Sequence, residues 1–187
     1  MRVAEYTVIW HCAGKMLPFI FEDKMLRKKF HRLHFWEKPS GSQYNGASHN
    51  NIWYNIEPIL VFSNNIEATI ANYSKDVSYA YDNLSYPTVA KSKYGHPTTK
   101  PLGEIVDLVL HYSKEGQTVL DPFSGSGTLA EACIKTKRKY ICIEQDDTHF
   151  NGILKRINLL NSQIGMFNDI EQPTKNHKKD KKQEVLL

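Results

Sequence analysis

Apolar residues recur along this chain with two different periods, and the change of period divides it. Tyr6 to Trp10 is a short apolar run rich in β formers and predicts a strand, while Leu17 to Phe30 reads as a helix with a basic outer face. Leu33 to Glu37 and Pro58 to Phe62 read as two further strands. A polar stretch of Ser, Gly, Asn and His between Lys38 and Asn51 would join them into a long hairpin. Residues 64–95 carry Tyr73, Tyr79, Tyr81, Tyr86 and Tyr94 without a clear period and are expected to form a loop or small insert. After Pro101 the spacing turns helical at Leu102, Ile105, Val106, Val109 and Leu110, with Gly116 as the stop signal. A strand at Thr118–Leu120, a tight turn at Gly125 and Gly127, a helix at Thr128–Lys135 and a strand at Tyr140–Ile143 come next. This βαβ order continues into a helix from about Thr148 to Leu160.

Composition narrows the class. With 187 residues, 41% hydrophobic and 24% charged, the chain fits one globular domain of ordinary size. No run reaches the ~18 apolar residues of a membrane span, and Glu5 and His11 interrupt any signal-peptide apolar region, so a soluble, cytoplasmic protein is expected. Cys12, Cys133 and Cys142 form an odd set without Cys-x-x-Cys spacing, and two sit in apolar surroundings that suit buried free thiols. The net charge of +4 invites a nucleic-acid reading, but five lysines in Gln172–Leu187, against Asp180 and Glu184, carry +3 of it. The body is left near +1, and the tail is expected to be a disordered solubilising end or a phosphate-contacting arm.

The chemistry is concentrated in Thr118-Val-Leu-Asp-Pro-Phe-Ser-Gly-Ser-Gly-Thr128. A strand ends in Asp121, glycines let backbone approach a ligand, and a helix N-terminus begins at the turn. The next strand ends in Glu144, whose two oxygens can accept both hydroxyls of a ribose. Gly125, Gly127 and Ala130 also satisfy the loose dinucleotide pattern, which leaves a nicotinamide-dependent oxidoreductase as an alternative. Asp121 weighs against it, because a carboxylate there repels a pyrophosphate but suits the ammonium and sulfonium of S-adenosylmethionine. A P-loop is excluded, since no Gly-Lys-Ser/Thr follows.

Asp121-Pro-Phe-Ser-Gly-Ser-Gly-Thr128 is similar to the Asp-Pro-Phe-x-Gly-Ser-Gly-Thr cofactor motif of the DNA amino methyltransferases, which modify adenine N6 or cytosine N4. His96-Pro-Thr-Thr-Lys-Pro101 resembles the His-Pro-Thr-x-Lys-Pro segment of that family's permuted branch. Phe35-Trp-Glu-Lys-Pro39 and Glu57-Pro-Ile-Leu-Val-Phe62 look like its antiparallel edge strands. The resemblance implies an α/β, Rossmann-like methyltransferase fold over residues 1–165, a mostly parallel sheet with an antiparallel edge hairpin. Within it, residues 1–63 hold strand, helix and hairpin, residues 64–95 the loop or insert, and residues 96–165 the cofactor-binding half, with a basic tail at 166–187. It also implies S-adenosylmethionine as cofactor. Asp121, Phe123, Gly125 and Gly127 would surround the methionine and adenosyl groups, with Ser124 and Thr128 in the same turn, Glu144 on the ribose, and Thr98 and Lys100 near the cofactor carboxylate. Phe123 as a plain core aromatic and His96 as a turn residue are the structural alternatives.

The implied reaction is methyl transfer to an exocyclic amine of DNA, adenine N6 ahead of cytosine N4, on a base flipped from the duplex. The family accepts the amine hydrogens with Asp, Asn or Ser followed by Pro-Pro-aromatic, and this chain has no Pro-Pro pair. In the permuted order that motif and its strand precede Tyr6–Trp10 and are expected upstream of Met1. No catalytic residue is therefore assigned within the chain, and the sheet is expected to be incomplete at its N-terminal side. Truncation is the favoured explanation, a partner subunit supplying the strand is another, and direct pairing of the flanking strands a third. A non-catalytic cofactor- or DNA-binding subunit is the rival function. Lys38 and Tyr44 in the polar loop, and Lys28 and Lys29 in a basic run with Lys24, Arg27 and Arg32, are the candidate DNA contacts. His11, His31, His34 and His49 lack a cysteine pair to complete a zinc site, and no metal is expected.

Overall fold

The computed structural model describes residues 4–10, 22–38, 56–65 and 83–171. The chain divides into two compact units, residues 1–88 and 89–187.

In the first unit β1 is Tyr6–Trp10, as its apolar run predicts. Met1, upstream of which the catalytic strand and motif are expected, lies outside the described residues. Among those described, β1 pairs with β3, Ile56–Ser63, and the strand ending in Asp121 belongs to a separate two-stranded sheet.

Helix α1, Lys24–Lys29, starts where the Asp23 carboxylate accepts the Met25 and Leu26 N–H groups at 2.7 and 2.9 Å. The expected helix through Phe30 ends one residue early, because Phe30 opens strand β2, Phe30–Glu37. Phe30 pairs with Phe62 of β3, and the two rings meet edge to face at 6.1 Å. Cross-strand packing there overrides helical spacing. The part of that expected helix before Glu22 lies outside the described residues.

Strands β2 and β3 form the antiparallel pair read from the sequence, with Leu33 opposite Leu60 and Phe35 opposite Pro58. Strand β1 lies antiparallel on the other side of β3, and β4, Asn83–Ser85, adds parallel to β2. The order β1-β3-β2-β4 encloses β3, whose Ile59, Leu60, Val61 and Phe62 are buried. Ile9, Leu26, Phe30 and Leu33 pack against Leu60 and Phe62 as this unit's core. Strand β4 lies within the stretch expected to be loop. It is held in part by the Trp36 indole N–H donating to the Tyr86 carbonyl at 2.9 Å, a pairing too short to show a period of its own.

The second unit opens with the short helix α2, Lys91–Tyr94, also inside the expected loop. Helix α3, Leu102–Tyr112, buries Ile105 and Val109 of the predicted face together with Leu108, which is not part of it, while Leu110 of that face is exposed. It ends at Ser113, whose N–H returns to the Val109 carbonyl at 3.0 Å. Gly116 is therefore not its stop. At φ +81° it makes the turn into the next strand, where its N–H reaches the Lys137 carbonyl. Strands β5, Thr118–Asp121, and β6, Lys139–Cys142, are parallel in register, with α4, Thr128–Lys135, as crossover between them. Buried Arg138 donates to the Ser113 carbonyl at 2.8 Å and so ties β6 to the end of α3. Helix α5 runs from Asp147 to Glu171, past the predicted end near Leu160 and into the stretch expected to be disordered tail. Pro173 is the first proline to follow, whereas Gly165 does not stop the helix. Cys133 and Cys142 are buried free thiols, as expected, and burial pushes them up to about 12 and about 11. No helix among the described residues is long and apolar enough to cross a membrane.

Candidate cofactor site at the glycine turn

Within the second unit, β5 delivers Asp121 to the start of the turn, and the Asp121 side chain shapes the next residues by accepting the Phe123 N–H at 3.0 Å. The Ser124 hydroxyl donates to the Asp121 carbonyl at 2.9 Å, and the Ser124 N–H reaches the Ile143 carbonyl just beyond β6. Ser124 and Thr128, placed in the turn by sequence, are buried in its framework. Gly125 and Gly127 take φ +50° and +71°, and Gly127 is the N-cap of α4. Neither has room for a side chain. A Cβ on Gly125 would lie 2.9 Å from the His96 ring, and one on Gly127 would lie 3.0 Å from Ile153.

Glu144 spans the mouth of this turn. Its Oε2 accepts the Gly125 N–H at 2.7 Å and its Oε1 accepts the Asp146 N–H at 3.0 Å. The bond from Asp146 does most to hold the Glu144 carboxyl below its usual range. Each oxygen keeps a lone pair for a further donor. Asp121 is driven the other way: burial raises its pKa, the Phe123 N–H opposes, and the charge on Glu144 adds to the rise. Two carboxylates with opposed shifts thus flank a backbone donor. Phe123 is 89% exposed, which removes its reading as a core aromatic.

The His96–Pro101 segment lies along the same turn. Burial and the nearby His149 ring, 4.6 Å away edge to face, lower the His96 pKa. A neutral ring can accept the Thr98 N–H at Nδ1, 3.3 Å away. Thr98 is exposed, whereas Thr99 is buried with its hydroxyl on the His96 carbonyl. The Lys100 carbonyl accepts the Thr128 hydroxyl at 3.4 Å. His96 is therefore more than a turn residue, because its ring packs on Gly125. A cleft of about 410 Å³ borders the turn, lined in part by Tyr94, Gly125, Ser126, His149 and Arg156. His149 and Arg156 are not among the sequence candidates. Their signal was spacing: seven residues apart on one helix, two turns, they share a face.

In the first unit the DNA candidates separate. Lys38 is buried, paired with Glu57 at 2.5 Å and set over the Trp36 ring, so its charge is engaged within the fold. Lys28 is exposed on α1, and Lys29 donates to Asn64 at 2.8 Å. Tyr44 lies outside the described residues. His34 is buried, and His31 meets the Tyr6 ring edge to face at 5.7 Å.

A family model described as DNA methylase matches residues 5–156. The type II methyltransferase M2.MboI of Moraxella bovis is 45% identical over 56 residues, 30% of this chain and 20% of that protein. Three such curated relatives are covered over 20%, 26% and 49% of their lengths, so the chain spans half of each at most. Among solved structures, the M1.HpyAVI–SAM complex matches with a TM-score of 0.66 and 25% identity, over 82% of this chain and 74% of that one. The PvuII DNA methyltransferase, described as cytosine-N4-specific, matches with 0.64 and 14% over 80% and 62%. These likenesses establish the Rossmann-like methyltransferase fold.

Proposed function

The chain belongs to the DNA methylase family, and on that premise we propose that it binds S-adenosylmethionine at the Asp121–Thr128 turn for methyl transfer to an exocyclic amine of DNA, adenine N6 before cytosine N4. The observation that carries this reading is the Glu144 carboxylate bonded to the Gly125 N–H, with the partly buried carboxylate of Asp121 at the start of the same turn. That donor set fits a cationic nucleoside: Glu144 has acceptors for ribose hydroxyls, Asp121 a charge for an ammonium or sulfonium, and Phe123 an exposed ring for a flat base. It suits a pyrophosphate poorly. When bound, the cofactor supplies the methyl group; these residues hold and orient it. Thr98 and Lys100 complete the reading on the carboxylate side.

These 187 residues contain no Pro-Pro-aromatic segment, and we propose a second subunit as a source of the groups that accept the amine hydrogens. Exposed Lys28 on α1 is the proposed phosphate contact, with Lys29, bonded to Asn64, next to it in sequence, and Tyr44 is proposed as a DNA contact from its polar sequence context alone. Buried free thiols suit a reducing compartment such as the cytoplasm.

Calorimetric titration of the purified chain tests the cofactor reading. S-adenosylhomocysteine is expected to bind and NAD not to compete, and Asp121→Ala is expected to abolish the heat of binding. Competition by NAD would favour an oxidoreductase. Cofactor binding without turnover, after a Pro-Pro-aromatic segment is restored, would favour a non-catalytic binding subunit.

A further inference from the structure

Arg156 lies on α5, outside every motif, yet its guanidinium is buried against the glycine turn. Its Nε donates to Glu131 Oε2 at 2.7 Å, and its Nη1 to the Ser126 carbonyl at 2.9 Å and the Thr128 hydroxyl at 3.1 Å. Its central carbon stands 4.0 Å from the centre of the Tyr94 ring. The side chain is only 6% exposed.

The partners decide what this arrangement does. Ser126 sits between the two glycines with positive φ, where the backbone has the most conformational freedom to lose. The peptide unit joining Ser126 to Gly127 is held at both ends: its carbonyl accepts from Arg156, and its N–H donates to the Ser124 carbonyl at 2.8 Å. The Ser124 carbonyl that takes the Gly127 N–H shares its peptide plane with the Gly125 N–H, so holding the Ser126–Gly127 unit narrows where the Gly125 N–H can point as it meets Glu144. Lysine could not substitute. A point charge cannot serve a carboxylate, a carbonyl and a hydroxyl in one plane while stacking on a ring.

We propose that Arg156 is a positioning residue for the cofactor: it pins the Ser126–Gly127 peptide and thereby presets the Gly125 N–H toward Glu144 before any ligand arrives. The proposal rests on the cofactor reading only for its affinity readout. The competing account is a buried ion pair that staples α5 to α4 through Glu131 and has no effect on the turn.

Two variants of the full chain, Arg156→Lys and Glu131→Gln, separate these accounts by amide hydrogen exchange at Gly125 and Gly127 and by S-adenosylhomocysteine affinity. Loss of charged hydrogen bonds in Arg156→Lys is expected to speed exchange at both amides ~10-fold or more and to weaken affinity by a similar factor. Glu131→Gln keeps an acceptor for Nε and is expected to leave both within ~2-fold. Unchanged exchange in Arg156→Lys, or equal effects in the two variants, overturns the proposal. Should the wild-type chain not bind S-adenosylhomocysteine, the cofactor reading falls and exchange alone decides the clamp. Should Arg156→Lys not fold, Tyr94→Leu removes only the stacking face; ~3-fold faster exchange at Gly127 is expected, since a cation–π contact is weaker than a charged hydrogen bond, and an unchanged rate overturns the proposal.

Discussion

Strands β3 and β5 are both short apolar runs, and the structure treats them differently. In β3, Ile59 to Phe62 are buried, because β1 and β2 lie on its two sides. In β5, paired among the described residues to β6, Leu120 is 49% exposed and no residue is fully buried. Burial of a strand is thus a property of its neighbours more than of its own sequence. The contrast extends to what is added to each core. Both units bury apolar residues, Leu60 and Phe62 in the first and Ile105, Val109, Ile153 and Ile157 in the second, but in the second Arg138, Arg156 and Glu144 also organise loops and helix ends through hydrogen bonds. Lost volume should be felt in either core, and lost directionality most at the glycine turn.

The largest effect expected is from Phe62→Ala, which leaves a cavity in the first core and should lower stability by about 3–5 kcal/mol. Trp10, Trp36 and Trp53 all lie in residues 1–88, so tryptophan fluorescence during urea unfolding reports on that unit. Leu120→Ala supplies the counterpart. Half exposed on β5, it should change the stability of the second unit, which carries no tryptophan and is followed by far-ultraviolet circular dichroism, by no more than about 1 kcal/mol. Comparable losses in the two variants would mean that β5 is covered in solution by something other than β6.

Next comes Gly125→Ala, which sharpens the contrast from the other side. A Cβ at φ +50° and 2.9 Å from the His96 ring must displace that ring or the turn, at about 1–3 kcal/mol. Because the strain falls on the donor to Glu144, affinity for S-adenosylhomocysteine should drop by more than ~10-fold, while unfolding seen by tryptophan should not move. Unaltered affinity would show that the turn adapts and that its shape is not what holds the ligand.

Legibility followed the same division. β1, α4 and the βαβ order of the second unit were readable to within a residue, since period and glycine placement are local signals. The turn and its two acids were readable for the same reason. What was not readable depended on distant partners. Lys38 belongs to a polar stretch and reads as a candidate DNA contact, but Glu57 on the neighbouring strand draws it into the fold. Phe30 continues a helical pattern until Phe62 claims it for β2. Arg156 shares a helix face with His149 but is otherwise no different locally from Lys155, and only the fold places Ser126, Thr128 and Glu131 around it.

The smallest effect expected is with pH, and it opposes stability to binding within one site. Asp121 has a folded pKa raised by burial, so ionising it disfavours the fold, and that penalty is relieved as pH falls through its raised pKa. Glu144 has a folded pKa lowered chiefly by the Asp146 N–H, so its stabilisation is present above the ordinary value of 4.5 and is lost as pH falls through the lowered one. The two contributions to stability therefore have opposite signs with pH. For a cationic ligand they add, because both acids serve it ionised. Affinity for S-adenosylmethionine should weaken as pH falls through the raised pKa of Asp121 and the lowered one of Glu144. In Asp121→Asn the first of these contributions should vanish, leaving weaker binding with a shallower fall. Calorimetry from about pH 7 downward checks both chains, and pH profiles of the same shape in the two would mean that the Asp121 carboxylate does not face the ligand's charge.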